Sequence, residues 1–349
     1  MPKKLLVILA LVAAILLVLN GCESAPKAVE VDAAKLKMFQ PLPASMASDK
    51  NPANDAKITL GRMLYYEPRL SKNHDVSCNT CHLLDKYGVD LEPTSTGHKR
   101  QKGGRNAPTV FNAAAHFAQF WDGRAADVEE QAKGPMTNPI EMAMPSEKNV
   151  LAVLTSMPEY VDLFKKAFPD DKNAVSFDNA AKAIAAFERG LTTPARWDKF
   201  LQGDQTALTD AEKAGFNKYM EAGCQACHMG ALLGGSIYQK LGAVEPWEDT
   251  KDLGRFAVTK QEADKMMFKV PSLRNIEKTG PYFHDGSIAT LEQAVKEMGT
   301  HQLGKQLTDA DVASIVTWLK SLTGEVNQDY VKQPELPKST PKTPKPNPA

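Results

Sequence analysis

Apolar and polar positions divide the chain into a few helical stretches set between long polar segments marked by glycine and proline. Leu5 to Leu19 is an uninterrupted apolar run behind Lys3 and Lys4, closed by Asn20-Gly21-Cys22. It is short for a bilayer span, which takes about 20 residues, and has the proportions of a secretory h-region. From Glu23 to Asn54 the chain is rich in Ala, Lys, Pro and Ser and reads as a linker. Ile58, Leu60, Met63 and Leu64 then recur at helical spacing and predict an amphipathic helix. Thr209, with Glu212 three residues on, forms a capping box, and the helix it opens passes through Phe216 and Tyr219. Thr308 and Asp311 make a similar start. Val312, Ile315, Val316, Leu319 and Leu322 fall on one face of the helix that follows. Strand signals are few. Pro334 to Ala349 alternates Pro with Lys and Thr and predicts an extended, mobile tail.

A length of 349 residues suggests about two domains plus tails. The hydrophobic content of 42% is enough for real cores. With 42 basic and 42 acidic residues there is no net charge, so nothing proposes nucleic acid as a partner. Cysteine changes the picture most. Cys78-Asn79-Thr80-Cys81-His82 and Cys224-Gln225-Ala226-Cys227-His228 each follow one of the predicted helices. C-x-x-C-H is the attachment signature of c-type haem: two thiols a helical turn apart form thioethers with the vinyl groups, and the histidine ligates the iron. Two zinc sites would need further Cys or His ligands close by, and no other cysteine lies near either motif.

The fifth cysteine, Cys22, ends Leu19-Asn20-Gly21-Cys22, which looks like a bacterial lipobox whose cysteine receives lipid. An uncleaved anchor helix is the alternative. Either way the globular part is expected outside the cytoplasm, in the periplasm and tethered to a membrane. That agrees with haem c, which bacteria attach after translocation. No cysteine remains for a disulfide.

Each iron has a sixth position, and five histidines besides His82 and His228 compete for it with thirteen methionines. His98 lies sixteen residues after His82, in a basic, glycine-rich loop able to fold over the distal face. Met298 stands well downstream of the second motif, ahead of the helix from Thr308, where class I c-type cytochromes generally place a methionine. Met229 directly follows His228 and cannot reach the other face, and most other methionines read as core filler.

These residues sit in longer strings: Gly97-His98 with Gln101-Lys102-Gly103, Arg105-Asn106-Ala107-Pro108-Thr109-Val110-Phe111-Asn112 and Gln119-Phe120-Trp121-Asp122-Gly123-Arg124. Glu130-Gln131-Ala132-Lys133-Gly134-Pro135 and Asn138-Pro139-Ile140-Glu141-Met142 follow. The second half holds Val270-Pro271-Ser272-Leu273-Arg274-Asn275, Tyr282-Phe283-His284-Asp285-Gly286, and Met298-Gly299 with Gln302-Leu303-Gly304. From Leu60 to Leu322 the chain resembles the bacterial dihaem cytochrome c peroxidases, with no departure at a functional position.

The resemblance implies a mainly α fold of two class I cytochrome c-like haem domains packed together, with few strands. The implied division is a signal peptide 1–21, a tether 22–54, an N-terminal haem domain 55–200, a C-terminal haem domain 201–326 and a Pro/Lys-rich tail 327–349. It implies two covalently bound haem c groups. One, on Cys78, Cys81 and His82, is the low-potential, peroxidatic haem, with His98 as the displaceable distal ligand. The other, on Cys224, Cys227, His228 and Met298, is the high-potential site of electron entry. A His/Met set raises the potential relative to His/His. Gly97, Gly103 and Gly104 suit a loop that rearranges.

Glu141 is implied as acid–base catalyst, Gln131 as the residue orienting peroxide and Trp121 as part of the electron path between haems. Asn106, through its side chain, and the carbonyls of Thr279 and Pro281 match the family's Ca²⁺ site; oxygen-only ligation suits that ion. His284 is expected to be structural or near a haem propionate, and His74, His116 and His301 surface or packing residues. The implied activity is reduction of H₂O₂ by electrons from a periplasmic c-type cytochrome, in a homodimer. A dihaem carrier relaying respiratory electrons is the alternative, but it has no use for Glu141 and Gln131 opposite a displaceable His98. Related enzymes that oxidise protein tryptophan normally carry Tyr where Met298 stands.

Overall fold

Side-chain caps fix where the main helices begin. The computed structural model describes residues 28–349; the Leu5–Leu19 run and Cys22 lie outside the described residues. Helices of six or more residues are α1 (Asp55–Tyr65), α2 (Val128–Thr137), α3 (Glu147–Thr155), α4 (Pro158–Ala167), α5 (Phe177–Glu188), α6 (Arg196–Leu201), α7 (Asp210–Ala222), α8 (Leu291–Leu303) and α9 (Asp309–Lys320). Asn54, Asp127, Ser176, Thr209, Thr290 and Thr308 each accept a hydrogen bond from a backbone N–H of the first turn they precede. The two capping boxes close as the sequence predicts: Thr209 N–H donates to Glu212 at 2.8 Å and Thr308 N–H to Asp311 at 3.2 Å. The one sheet among the described residues pairs β1 (Tyr238–Lys240) with β2 (Met267–Lys269), antiparallel. The fold is mainly α.

Two apolar cores follow from two helix crossings. In the first, α1 crosses α5 at Gly61, where a Cβ would lie 1.8 Å from the Ala183 carbonyl oxygen. In the second, α7 crosses α9 at Gly215, where it would lie 2.1 Å from the Ser314 carbonyl oxygen. Leu60, Leu64, Val150, Leu154, Phe164 and Phe187 fill the first core. Trp197, Phe216, Tyr219, Ile315, Trp318 and Leu319 fill the second. All of these lose nearly all contact with water, which makes hydrophobic burial the main force holding each half.

The halves repeat one another in detail. Pro108-Thr109-Val110-Phe111-Asn112 and Pro271-Ser272-Leu273-Arg274-Asn275 occupy like positions, and Asn112 and Asn275 are both left-handed at φ 60°. Their Nδ2 atoms donate to the same hydroxyl, Thr193 Oγ1, at 2.8 and 2.9 Å. Thr193 is fully buried and pins the two halves at their junction.

Three segments differ from expectation. Trp197 and Phe200 of α6 belong to the second core, so the change of core comes before the expected boundary at 200. Residues 39–54 of the expected tether lie on the body: Phe39 meets Trp197 and Phe216 edge-on, at 5.7 and 5.5 Å, because a lone aromatic gains more by burial than by staying in a linker. The tail is extended but held. Tyr330 stacks on Phe187 at 5.1 Å, Arg69 donates to the Pro337 carbonyl, Thr340 to that of Ser156, and Asn347 N–H to that of Lys72. Tyrosine and threonine supply anchors among the prolines. Among the described residues no helix is long and apolar enough to cross a membrane.

Candidate active site

Both C-x-x-C-H motifs form a single helical turn. His82 N–H donates to the Cys78 carbonyl at 3.0 Å, and His228 N–H to that of Cys224 at 3.1 Å. His82 Nδ1 lies 3.3 Å from the Gly88 carbonyl and His228 Nδ1 3.0 Å from that of Leu233. A carbonyl accepts only from Nδ1–H, so in both rings Nε2 carries the lone pair that a metal would take. Burial lowers both imidazoles' pKa, which keeps them neutral and able to ligate. Tyr65 and Tyr219, at corresponding places on α1 and α7, each donate a hydroxyl hydrogen bond to the carbonyl of the following motif's histidine. The repeat of these tyrosines is legible in the sequence once the halves are aligned.

His98 is 5% exposed, and neither ring nitrogen has a hydrogen-bond partner. A buried imidazole with both nitrogens unmatched costs on the order of 1–3 kcal/mol per group, so His98 fits the part of an iron ligand. Its loop is strained. Lys99 and Arg100, at φ 55° and 59°, are consecutive left-handed residues without glycine's freedom. His98 N–H donates to the Glu141 carbonyl at 2.8 Å. Gly97 is needed here, since a Cβ would sit 2.2 Å from the Ile140 oxygen; at Gly103 a Cβ would make only ordinary contacts, and Gly104 has open space.

Glu141 is half-buried, and Asn138 Nδ2 donates to its Oε1 at 2.8 Å. The Asn138 carbonyl also accepts from Glu141 N–H and Ala143 N–H, so one residue ends α2 and shapes the turn that carries the carboxylate. Burial raises the Glu141 pKa against the opposing pull of Arg124 and Asn138. Burial, and then nearby carboxylates that include Glu141, raise the Cys78 and Cys81 thiols. The structure thus joins His98 to Glu141, whose charge is felt at the Cys78 and Cys81 thiols. Gln131 is half-buried on α2, four residues after the N-cap, and corresponds to Ala294 of α8.

A second site is a cavity of about 240 Å³ lined by Cys224, Cys227, His228, Met298 and Trp121. Met298 sits within α8, ahead of the helix from Thr308 as expected; the cap at Thr290 before Leu291, Ala294 and Val295 was the signal for α8. Pro135 holds the corresponding place in α2, so the first half has no methionine there and its candidate ligand comes from a loop. Trp121 Nε1 donates to the Asn106 carbonyl at 2.9 Å, and its ring meets His284 edge-on at 6.5 Å. The two correspond in the repeat, in Phe120-Trp121-Asp122-Gly123 and Phe283-His284-Asp285-Gly286.

Asn106, Thr279 and Pro281 line the same cavity. Asn106 Nδ2 is engaged by the Glu92 and Pro93 carbonyls, which leaves Oδ1 as the atom for a cation. Of the two expectations for His116 the packing one holds: its ring lines this cavity, and sequence reasoning missed only that Lys269 lies beside it. His301 bridges the Glu245 carbonyl and Glu297.

Residues 55–206 match the family model of di-haem cytochrome c peroxidase, and residues 212–323 that of cytochrome c. The chain is 47% identical over 315 residues to cytochrome c551 peroxidase of Pseudomonas aeruginosa, covering 88% of this chain and 90% of that one. It is 50% identical over 300 residues to cytochrome c551 peroxidase of Nitrosomonas europaea, covering 85% and 88%. It is 31% identical to the methylamine utilization protein MauG of Methylophilus methylotrophus, covering 83% and 88%. Among solved structures, a MauG-like protein associated with microbial copper homeostasis superposes with a TM-score of 0.74 at 28% identity, over 89% of this chain and 99% of that one. The two C-x-x-C-H turns, each with its imidazole pinned at Nδ1, fit haem attachment, and the chain belongs to the di-haem cytochrome c peroxidase family, which implies two haem c groups.

Proposed function

We propose that this protein reduces H₂O₂ to two waters at its N-terminal half, with two electrons and two protons, the electrons coming from a small periplasmic c-type cytochrome and entering at the C-terminal half. The observation that carries this reading is the coupling of a buried, unpartnered His98 on a strained loop to the backbone of Glu141. A carrier would need neither. Bound haem supplies the redox chemistry of O–O cleavage, held by Cys78, Cys81 and His82 in one half and by Cys224, Cys227, His228 and Met298 in the other.

Release of His98 relieves the left-handed strain at Lys99 and Arg100 and clears space for peroxide beside Glu141. Glu141 takes the proton from the inner peroxide oxygen and returns it to the leaving one, a task suited to a carboxyl whose pKa is lifted toward working pH. Asn138 holds the carboxylate in place, and Gln131 orients the peroxide by hydrogen bonding. Trp121, in the wall between the halves, lies on the electron path. Asn106 Oδ1 with the carbonyls of Thr279 and Pro281 holds a Ca²⁺ ion. The protein is exported, anchored to a membrane through lipid on Cys22, and works as a homodimer.

The test is peroxide turnover by the dihaem protein, oxidised and half-reduced, with a reduced c-type cytochrome as donor. Glu141→Gln should keep both haems and their potentials yet lose about 10²–10⁴-fold in kcat. Undiminished turnover would remove Glu141 from the mechanism. Facile electron exchange without turnover in the unsubstituted protein would favour the carrier.

A further inference from the structure

Lys269 is 5% exposed on β2, and no carboxylate offsets its burial among the described residues. Its Nζ meets a single side chain, His116 Nδ1, at 2.7 Å. Burial brings Lys269 down to about 7 and pushes His116 well below its usual value, the lysine adding to the effect. A neutral His116 that accepts at Nδ1 carries its proton on Nε2. That Nε2 is buried and has no partner. Both side chains line the cavity that holds Cys224, Cys227, His228 and Met298. The wall therefore presents a cluster of donors here, the remaining Lys269 Nζ–H groups and His116 Nε2–H, and the imidazole N–H meets no acceptor among the described residues. Unmatched buried donors are costly, and a lysine is rarely buried unless something anionic meets it.

The pair is also held in place. Gly235, at φ +70°, lies against the imidazole, and a Cβ there would come within 2.6 Å of His116 Cδ2. Phe117 N–H donates to the Gly235 carbonyl at 3.0 Å, fixing the chain on the other side of His116. Lys269 N–H donates to the Trp121 carbonyl at 2.7 Å. Two segments far apart in sequence are thus locked so that their donors face one space.

We propose that Lys269 and His116 bind one propionate carboxylate of the haem attached at Cys224 and Cys227, as a salt bridge from Nζ and a hydrogen bond from Nε2. The donors match the propionate carboxylates, the anionic side chains that haem carries. Pairing with the carboxylate restores the lysine's charge. That cation, beside the haem, offsets the propionate's negative charge and favours the reduced iron. Lys269 is a positioning and potential-tuning residue, not a catalytic one. The proposal rests on haem attachment at Cys224 and Cys227, and not on peroxide turnover.

The experiment uses the dihaem protein and reads each haem's reduction potential together with the propionate bending bands in resonance Raman spectra. Lys269→Gln should make reduction of the C-terminal haem at least tenfold less favourable, a fall of 59 mV for one electron, and leave the N-terminal haem unmoved. Lys269→Arg should restore the potential. His116→Phe should shift the propionate band with Met298 still bound. An unchanged C-terminal potential in Lys269→Gln, or a shift confined to the N-terminal haem, would overturn the assignment. If Lys269→Gln fails to fold, His116→Phe decides alone, an unmoved band overturning it. Absence of haem from Cys224 and Cys227 in the unsubstituted protein would instead sink the haem reading itself.

Discussion

Thr193→Val tests whether one hydroxyl holds the halves together. Valine keeps the shape of threonine and removes only the acceptor that Asn112 and Asn275 share, at 2.8 and 2.9 Å. Neither amide can escape by turning over. Asn112 Oδ1 accepts from Thr193 N–H at 3.1 Å and Asn275 Oδ1 from Gly324 N–H at 2.9 Å, so a flip would break a second bond. Two buried donors are therefore stranded at about 1–3 kcal/mol each, or about 2–6 kcal/mol in all. The assay is guanidinium unfolding of the dihaem protein followed by tryptophan emission, which is quenched while the haems sit near Trp197 and Trp318. The midpoint should fall with an unchanged slope. Thr193→Ser, which keeps the acceptor, should cost only about 1 kcal/mol for the lost methyl. A Thr193→Val protein within about 0.5 kcal/mol of the parent would refute the pin, since surface changes alone reach that size.

Met298→His should retain both haems and lower the C-terminal potential, because a second imidazole favours ferric iron more than a thioether does; potentiometry showing no change would give the ligand to another residue. Burial, then Glu129, lifts Glu188 to about 8 from an ordinary 4.5. The folded state therefore keeps a proton that the unfolded chain releases, and stability falls as pH rises from 4.5 to about 8. Glu188→Gln should flatten that slope in denaturant titrations across the window, and an unaltered slope would count against it. Gly61→Ala should lower the melting temperature, at a cost of about 1–3 kcal/mol or more, since its Cβ would press on the Ala183 carbonyl; a neutral result would mean that α1 and α5 part easily.

Local chemistry was the legible part. The two C-x-x-C-H turns, the Thr209 and Thr308 boxes and the Val312–Leu319 face each depend on residues within one or two helical turns, and all stand where spacing puts them. The His98–Glu141 contact joins loops 43 residues apart in number (141 − 98), and spacing carries no record of it; it came from resemblance. Lys269 is harder still. A lysine beside Phe268 in an apolar strand reads as an edge charge, and only the fold brings His116 to it, 153 residues away. Phe39 and Tyr330 misled for a related reason: one anchoring aromatic in a polar, proline-rich stretch does not alter its average composition.

Synthesis runs from the N-terminus, so the first haem motif is made long before its outer brace. Arg69 waits 268 residues for Pro337. Lys72 donates to the Met142 carbonyl, next to Glu141, and accepts from Asn347. The segment bearing the carboxylate is therefore buttressed by residues made long after it. Closing so long a loop costs little more entropy than closing a shorter one. What it sets is order: a chain clipped before Pro337 still carries both C-x-x-C-H turns and every candidate ligand, while the segment beside Glu141 has lost its buttress.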